Sequence, residues 1–269
     1  MKLQIFDVEH GACALLTCVN GTRLMIDCGH NANSGWKPGA YLRSQGVTHL
    51  DMLAITNYDE DHVSGLPDLL EQVHVNWLWR NPSVSATDIK NMKAQNGMGY
   101  GIESLINILP TYKYTGWQQP EFSFVERQGF YAPYPTFVDT NNLSMAIHLN
   151  IAGINFLFSG DLESGGWNTL LKDQSFRNVI ANTDIFIAPH HGRESGIYPQ
   201  IFEEYQCFPH YIIMSDKSHM YDTQKTVDYY SSKARGGFFR GKHRRVLTTR
   251  NDGSITFNFN FIKGECLVA

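Results

Sequence analysis

The segment Thr56-Asn57-Tyr58-Asp59-Glu60-Asp61-His62 sets carboxylates, an amide and an imidazole within a few residues, directly after the apolar run Met52 to Ile55. Carboxylate oxygen and imidazole nitrogen are the donors that a divalent cation takes, so the segment reads as a set of metal ligands. Asn and Asp also favour turns and helix N-termini, so this segment alone supports either reading. Two later segments repeat the pattern. Ile154 to Phe158 ends in Ser159-Gly160-Asp161, and Ile185 to Ala188 runs through Pro189 into His190-His191-Gly192. Three apolar strands that each deliver metal-competent groups at the tip favour a metal centre over three unrelated polar turns. Asp161, His190 and His191 thus join the carboxylates, amide and imidazole of the 56–62 segment as candidate ligands.

These side chains require strands that end together at one edge. An apolar run of four to eight residues closing on polar ones reads as a buried strand opening into a loop. The pattern predicts strands over Leu3 to Val8, Ala12 to Val19 and Thr22 to Asp27, with Asn20-Gly21 as a hairpin turn. Further strands are expected at Leu50 to Thr56, Val75 to Trp79, Ser144 to Asn150, Ile154 to Phe158, Asp184 to Ala188, His210 to Met214, Arg245 to Thr249 and Ser254 to Phe261. Helices are expected at Gly39 to Gln45, Ser64 to Gln72, through 84 to 110, and near Gly166 to Lys172, Pro199 to Tyr205 and Thr223 to Lys233. The aromatic stretch Thr111 to Thr140 reads as irregular, part of an insertion or lid over about 84–140 rather than a linker. Two strand-rich halves with helices between them predict an α/β protein of two sheets packed face to face, helices outside. We expect one domain over 1–269.

Composition narrows the function classes. The hydrophobic fraction of 42% and the net charge of −4 suit a soluble globular protein and give no overall case for a nucleic-acid or membrane surface. Six of the 22 Lys and Arg residues nevertheless fall between Lys233 and Arg245 with no acid among them. Lys233, Arg235 and Arg240 there are candidate contacts to a polyanion backbone, and Phe238-Phe239 a stacking surface. A solvated basic loop fits equally. The five cysteines form no CxxC pair, and Cys13, Cys18 and Cys28 read as core packing. The N-terminal residues show no signal-peptide pattern and no run is long enough to span a membrane, so the expected location is cytoplasmic, with no membrane partner.

The ordered set of motifs resembles the metallo-β-lactamase fold, and most closely the hydrolase domain at the C-terminus of the DNA-uptake protein ComEC. It runs from Ile5-Phe6-Asp7-Val8-Glu9-His10-Gly11-Ala12 and Leu24-Met25-Ile26-Asp27-Cys28-Gly29, through the 56–62 loop, to Asn141-Asn142-Leu143-Ser144, Ser159-Gly160-Asp161, Pro189-His190-His191-Gly192 and Leu247-Thr248-Thr249. The resemblance implies an αββα four-layer sandwich of two mixed β-sheets. It lays the family's HxHxDH motif on 57–62, with Asn57 in place of the first histidine, Asp59 in place of the second, and Asp61 and His62 intact. Asp161 matches the carboxylate that bridges two metals, and one of His190 and His191 matches the final ligand, the sequence leaving open which. The family's further histidine has no clear counterpart; Ser144 or His148 lies nearest.

One metal subsite is then complete and the other depleted at Asn57, implying one firm zinc or manganese ion and a second that is weak or absent. The implied activity is metal-dependent hydrolysis through a metal-activated water, with a phosphodiester of DNA, RNA or a small nucleotide as substrate. Asp61 or Asp59 would orient or deprotonate the water. His219 resembles a family histidine that would protonate the leaving group, with Lys217 as a second candidate. His10 and His30, each beside a glycine at a strand or loop junction, are candidates to border the cleft. Two alternatives remain: a lactonase, thioesterase or β-lactamase on the same scaffold, and a non-catalytic metal- or nucleotide-binding protein whose first subsite has decayed.

Overall fold

A computed structural model describes residues 1–94, 97–112, 119–217 and 225–269. In the first half, strands β1 (Lys2–Ile5), β2 (Ala14–Thr17) and β3 (Arg23–Ile26) form an antiparallel meander. Helix α1 (Pro38–Ser44) follows, then the short β4 (His49–Leu50) and β5 (Met52–Ala54), which returns parallel to β3. Helices α2 (Glu60–Val63) and α3 (Leu66–Gln72), with β6 (His74–Val75), lead to β7 (Leu78–Trp79), parallel to β5. Helices α4 (Ala86–Lys93) and α5 (Tyr100–Ile108) come next.

The second half opens with β8 (Val125–Phe130), β9 (Ala146–Ile151) and β10 (Ile154–Phe158), paired in succession as an antiparallel meander. Helices α6 (Ser164–Leu170) and α7 (Gln174–Ala181) cross to β11 (Ile185–Ile187); α8 (Gln200–Glu203) precedes β12 (Tyr211–Met214). Helix α9 (Val227–Lys233) and the hairpin β13 (Gly237–Phe239) and β14 (Lys242–Arg244) lead to β15 (Val246–Thr248). Strands β10, β11, β12 and β15 are mutually parallel. After α10 (Thr249–Asp252), β16 (Ile255–Asn260) crosses back to pair with β1, and β17 (Glu265–Val268) closes its edge. The result is a seven-stranded sheet ordered β17-β16-β1-β2-β3-β5-β7 and a six-stranded sheet ordered β15-β12-β11-β10-β9-β8.

Alternation along the strands makes three apolar layers. Leu16, Leu24, Met52, Ala54 and Phe257 face Met145, Ile147, Phe156 and Ile213 between the sheets. Leu15, Met25 and Leu53, one residue out of phase, pack outward under Leu42, Leu66, Leu69, Ile102 and Leu105 from α1, α3 and α5. On the far side Leu157, Phe186, Ile212 and Met214 pack under Trp167, Phe176, Ile180 and Phe202. Because successive side chains of a strand point to opposite faces, strands buried on both faces read as unbroken apolar runs. Four layers result: helices, sheet, sheet, helices.

One stretch departs from expectation. The span Thr111 to Thr140, read as irregular, contains β8, an edge strand paired to β9 along its whole length. Its sequence Val125-Glu-Arg-Gln-Gly-Phe130 alternates exposure as an edge strand does, and its polar outer positions disguise it. Helix α7, the hairpin β13–β14 and strand β17 also went unforeseen.

Candidate metal centre

The parallel strands β3, β5, β10, β11 and β12 send their carboxyl ends to one edge of the sandwich, delivering Asp27, the 56–62 loop, Asp161, His191 and Ser215–Asp216 in turn. Carboxyl ends of parallel strands are where open α/β sheets bind ligands.

His62 is buried between two carboxylates: its Nδ1 lies 2.9 Å from Asp27 Oδ2 and its Nε2 3.0 Å from Asp161 Oδ1. Asp27 is held in turn by Thr56, which donates its backbone N–H (2.7 Å) and its hydroxyl (2.5 Å). A carboxylate on Nδ1 orients the ring and leaves Nε2 for a ligand, the outer support usual for a metal-binding histidine. His191 Nε2 lies 3.2 Å from Asp61 Oδ2 and 3.6 Å from Asp161 Oδ1, and the three ligand atoms of Asp61, His62 and His191 fall within 4.8 Å of one another. His191 Nε2 is buried yet makes no hydrogen bond of good geometry. A buried nitrogen without a hydrogen-bond partner, facing two carboxylates and a second imidazole, fits a divalent cation. Asp61, His62, Asp161 and His191 would hold it.

Electrostatics agree. Burial pulls the pKa values of His62 and His191 down, but the adjoining carboxylates outweigh it and raise both, His62 well above its ordinary value. Burial pushes Asp61 and Asp161 up; the imidazoles outweigh that and hold both low. The metal-free cluster therefore carries protons that an ion would replace.

Backbone shape selects between the adjacent histidines. His190, His191 and Gly192 all have positive φ (51°, 55° and 80°), a left-handed turn that costs a non-glycine residue about 1–3 kcal/mol. It throws the two rings apart. His190 Nδ1 lies 2.8 Å from Ser195 Oγ and 3.2 Å from Glu163 Oε1, away from the cluster. Glu163 accepts from Asn141 Nδ2 (3.2 Å), and Asn57 Nδ2 donates to Asn141 Oδ1 (3.2 Å). Asn57, fully buried, uses its Oδ1 to accept the Asp59 backbone N–H at 3.0 Å. Asp59 is met by Lys93, whose ammonium contacts Oδ1, and by Thr140 Oγ1 on the same oxygen at 2.7 Å.

The loop carrying Asp61 is clamped from below. A side-chain carbon on Gly11 or Gly29 would lie 2.6 Å from the Asp61 carbonyl oxygen, so glycine is needed at both contacts. Above, Glu60 accepts the backbone N–H groups of Gly101 (2.9 Å) and Ile102 (3.0 Å), fixing the start of α5 to the loop.

The remaining candidates are placed as follows. The His10 ring centroid is 6.3 Å from that of His191; burial first, then the cations His191, Arg193 and Lys217, lower its pKa to about 4. Lys217 Nζ lies 3.6 Å from Glu9 Oε2. His30 Nδ1 lies 2.8 Å from Ser64 Oγ, just past α2. Ser144 sits under the site, accepting the Asp161 N–H at 3.1 Å, whereas His148 on β9 bonds across to Asn155 on β10. Lys233 pairs with Glu203 (3.1 Å), Arg235 approaches Asp184 (3.8 Å), and Arg240 donates to the Asp252 carbonyl (2.8 Å). Asp184 precedes β11, at the end of the strand opposite the His191 turn. Among the described contacts none joins these three basic residues to the cluster. His219 lies outside the described residues. Asp27, Lys93, Thr140 and Glu163 were not singled out in the sequence. Only Asp27 had a local signal, as the polar residue closing an apolar strand.

The fold is metallo-β-lactamase-like. In sequence the chain is similar to ComE operon protein 3 of Bacillus subtilis, 22% identical over 227 residues that cover 81% of this chain and 26% of that protein. It is also similar to Ribonuclease Z of Lachnospira eligens, 39% identical over 57 residues, 21% of this chain and 17% of that one. The matches thus span about a quarter or less of these relatives. Among solved structures, the metallo-β-lactamase fold protein YhfI of Bacillus subtilis superposes with a TM-score of 0.49 at 11% identity, covering 95% of this chain and 98% of that one. A diphosphatase of the PhnP family gives 0.49 at 12% identity, covering 96% and 98%. No protein-family model matches the chain. No helix among the described residues is long and apolar enough to cross a membrane.

Proposed function

We propose that the chain is a single-ion, metal-dependent hydrolase of phosphodiesters in DNA, RNA or a small nucleotide. The observation that carries this reading is the buried Asp61–His62–Asp161–His191 cluster with its unbonded His191 nitrogen. The similarity to ComE operon protein 3 and to Ribonuclease Z favours a phosphodiester over the esters, thioesters and lactams that the same scaffold serves.

The ion, zinc or manganese, would supply Lewis-acid polarisation and a water of lowered pKa. Two imidazoles favour zinc, two carboxylates keep manganese available. The chain supplies the rest. His62, oriented by Asp27, and His191, aimed by its left-handed turn, set the nitrogen ligands; Asp161 spans them. The Asp61 side chain is 34% exposed while those of His62, His191 and Asp161 are almost fully buried, so it faces incoming water and suits accepting its proton. His10, neutral at pH 7 with a pKa of about 4, borders the cluster as a polar contact for the substrate. The described ends of the 84–140 segment border the site within one domain. Lys93, near its start, and Thr140, at its end, support this by meeting on Asp59.

The test is hydrolysis of a generic phosphodiester and of single-stranded DNA by metal-stripped protein resupplied with manganese, zinc or magnesium. We expect turnover with one of these ions, reduced by more than about 100-fold in Asp161→Ala, beyond the cost of losing an outer-shell partner. An Asp161→Ala enzyme of unchanged rate contradicts the site. Tight ion binding without turnover on either substrate transfers the site to the non-catalytic binding reading.

A further inference from the structure

Asp59 stands two residues before Asp61, yet its described contacts lie with Lys93 and Thr140. Lys93 closes α4, and its side chain is only 14% exposed against 28% for Asp59. Its ammonium sits on Asp59 Oδ1 and also donates to Thr140 Oγ1 at 3.2 Å, while Thr140 donates to the same Oδ1 at 2.7 Å. Asn57 has both ends of its amide committed, to the Asp59 N–H and to Asn141. The two side chains that would reach a second ion are therefore turned to an ammonium and to amide groups. An ammonium and a dication repel each other strongly on one partly buried carboxylate, and a lysine can lend a compact, fixed charge where an ion would otherwise sit.

We propose that the Lys93 ammonium takes the place of a second metal ion. It neutralises Asp59, limits the site to the one ion held by Asp61, His62, Asp161 and His191, and presents its charge to an anionic oxygen of the substrate. The substrate half rests on the phosphodiester reading; the ion count stands without it. Nothing in the local sequence points to Lys93, which lies 34 residues from Asp59.

Ion content per chain, measured by elemental analysis after equilibrium dialysis against manganese or zinc, tests the count. The expected values are one ion in the wild type, one in Asn57→His, and two in the double variant Asn57→His/Lys93→Met. Two ions in Asn57→His alone, or one in a double variant whose melting and circular dichroism match the wild type, overturn the proposal.

Titration of the ion-loaded protein with inorganic phosphate tests the substrate half and decides alone if the double variant does not fold. Lys93→Met should weaken phosphate at least tenfold and Lys93→Arg less than threefold. Equal affinity in wild type and Lys93→Met overturns it. Failure of the phosphodiester reading shows differently: wild-type turnover is absent while the ion counts stand as predicted.

Discussion

His190 and His191 are chemically identical neighbours with separate surroundings, and only the backbone separates them. Sequence types and spacing pointed to the 56–62 segment, Asp161 and the histidine pair as candidate ligands, because each follows an apolar strand; the resemblance narrowed them to Asp61, His62, Asp161 and one histidine. The choice within the pair was not legible, since two successive positive-φ histidines carry no local sequence signal. Lys93 and Thr140 were hidden for another reason: they reach Asp59 from 34 and 81 residues away. At this scale the raised pKa values of His62 and His191 predict a pH dependence. A raised pKa means that the metal-free imidazoles still hold protons near neutrality, so the ion must displace them. Ion affinity should therefore climb as pH rises from about 6 to 8, with net proton release at pH 7. Calorimetric titration in two buffers of different ionisation enthalpy measures that release; zero protons released would contradict the protonated cluster. For the metal-free fold the sign is opposite. Stability from the raised His62 is full below its unfolded value near 6.5 and falls as pH rises beyond it.

At the level of elements, the site is a set of strand ends held in register by backbone contacts. Buried parallel strands such as Ile154–Phe158 and Ile185–Ile187 were readable as apolar runs, and Asn20-Gly21 as a hairpin. Edge elements were not. β8 alternates polar residues against solvent, and β17 leaves Leu267 exposed, so neither resembles a core strand. The basic run from Lys233 to Arg245 read equally as a polyanion-facing edge or a solvated loop; it contains a hairpin, and Lys233, Arg235, Arg240 and Arg244 meet acidic residues or a carbonyl of the chain. The element that places Asp61 is clamped by Gly11 and Gly29. Gly29→Ala would put a carbon 2.6 Å from a backbone oxygen, which no rotamer can relieve. Overpacking of this kind costs about 1–3 kcal/mol. We expect a lower melting temperature and ion affinity reduced by about tenfold or more, checked by thermal melts and ion titration. Unchanged affinity would show that the loop is placed by other contacts.

Across the whole molecule, three apolar layers build a sandwich whose two sheets both contribute ligands: Asp61 and His62 from the first, Asp161 and His191 from the second. An ion bound there ties the halves together and binds only the folded chain, so it stabilises by about 2.7 kcal/mol at a hundredfold excess over its dissociation constant. The fold class was legible from two strand-rich halves separated by helices. The crossing of β16 back to β1 was not, because pairing between residues some 250 positions apart leaves no local trace. The central claim is that one ion sits on Asp61, His62, Asp161 and His191, with His190 outside. Equilibrium ion titration of wild type, His190→Ala and His191→Ala, read together with the melting temperature, tests it most directly. We predict one ion per chain and an ion-dependent rise in melting temperature for the wild type and His190→Ala, and neither for His191→Ala. Retention of the ion by His191→Ala with its loss from His190→Ala would contradict the account.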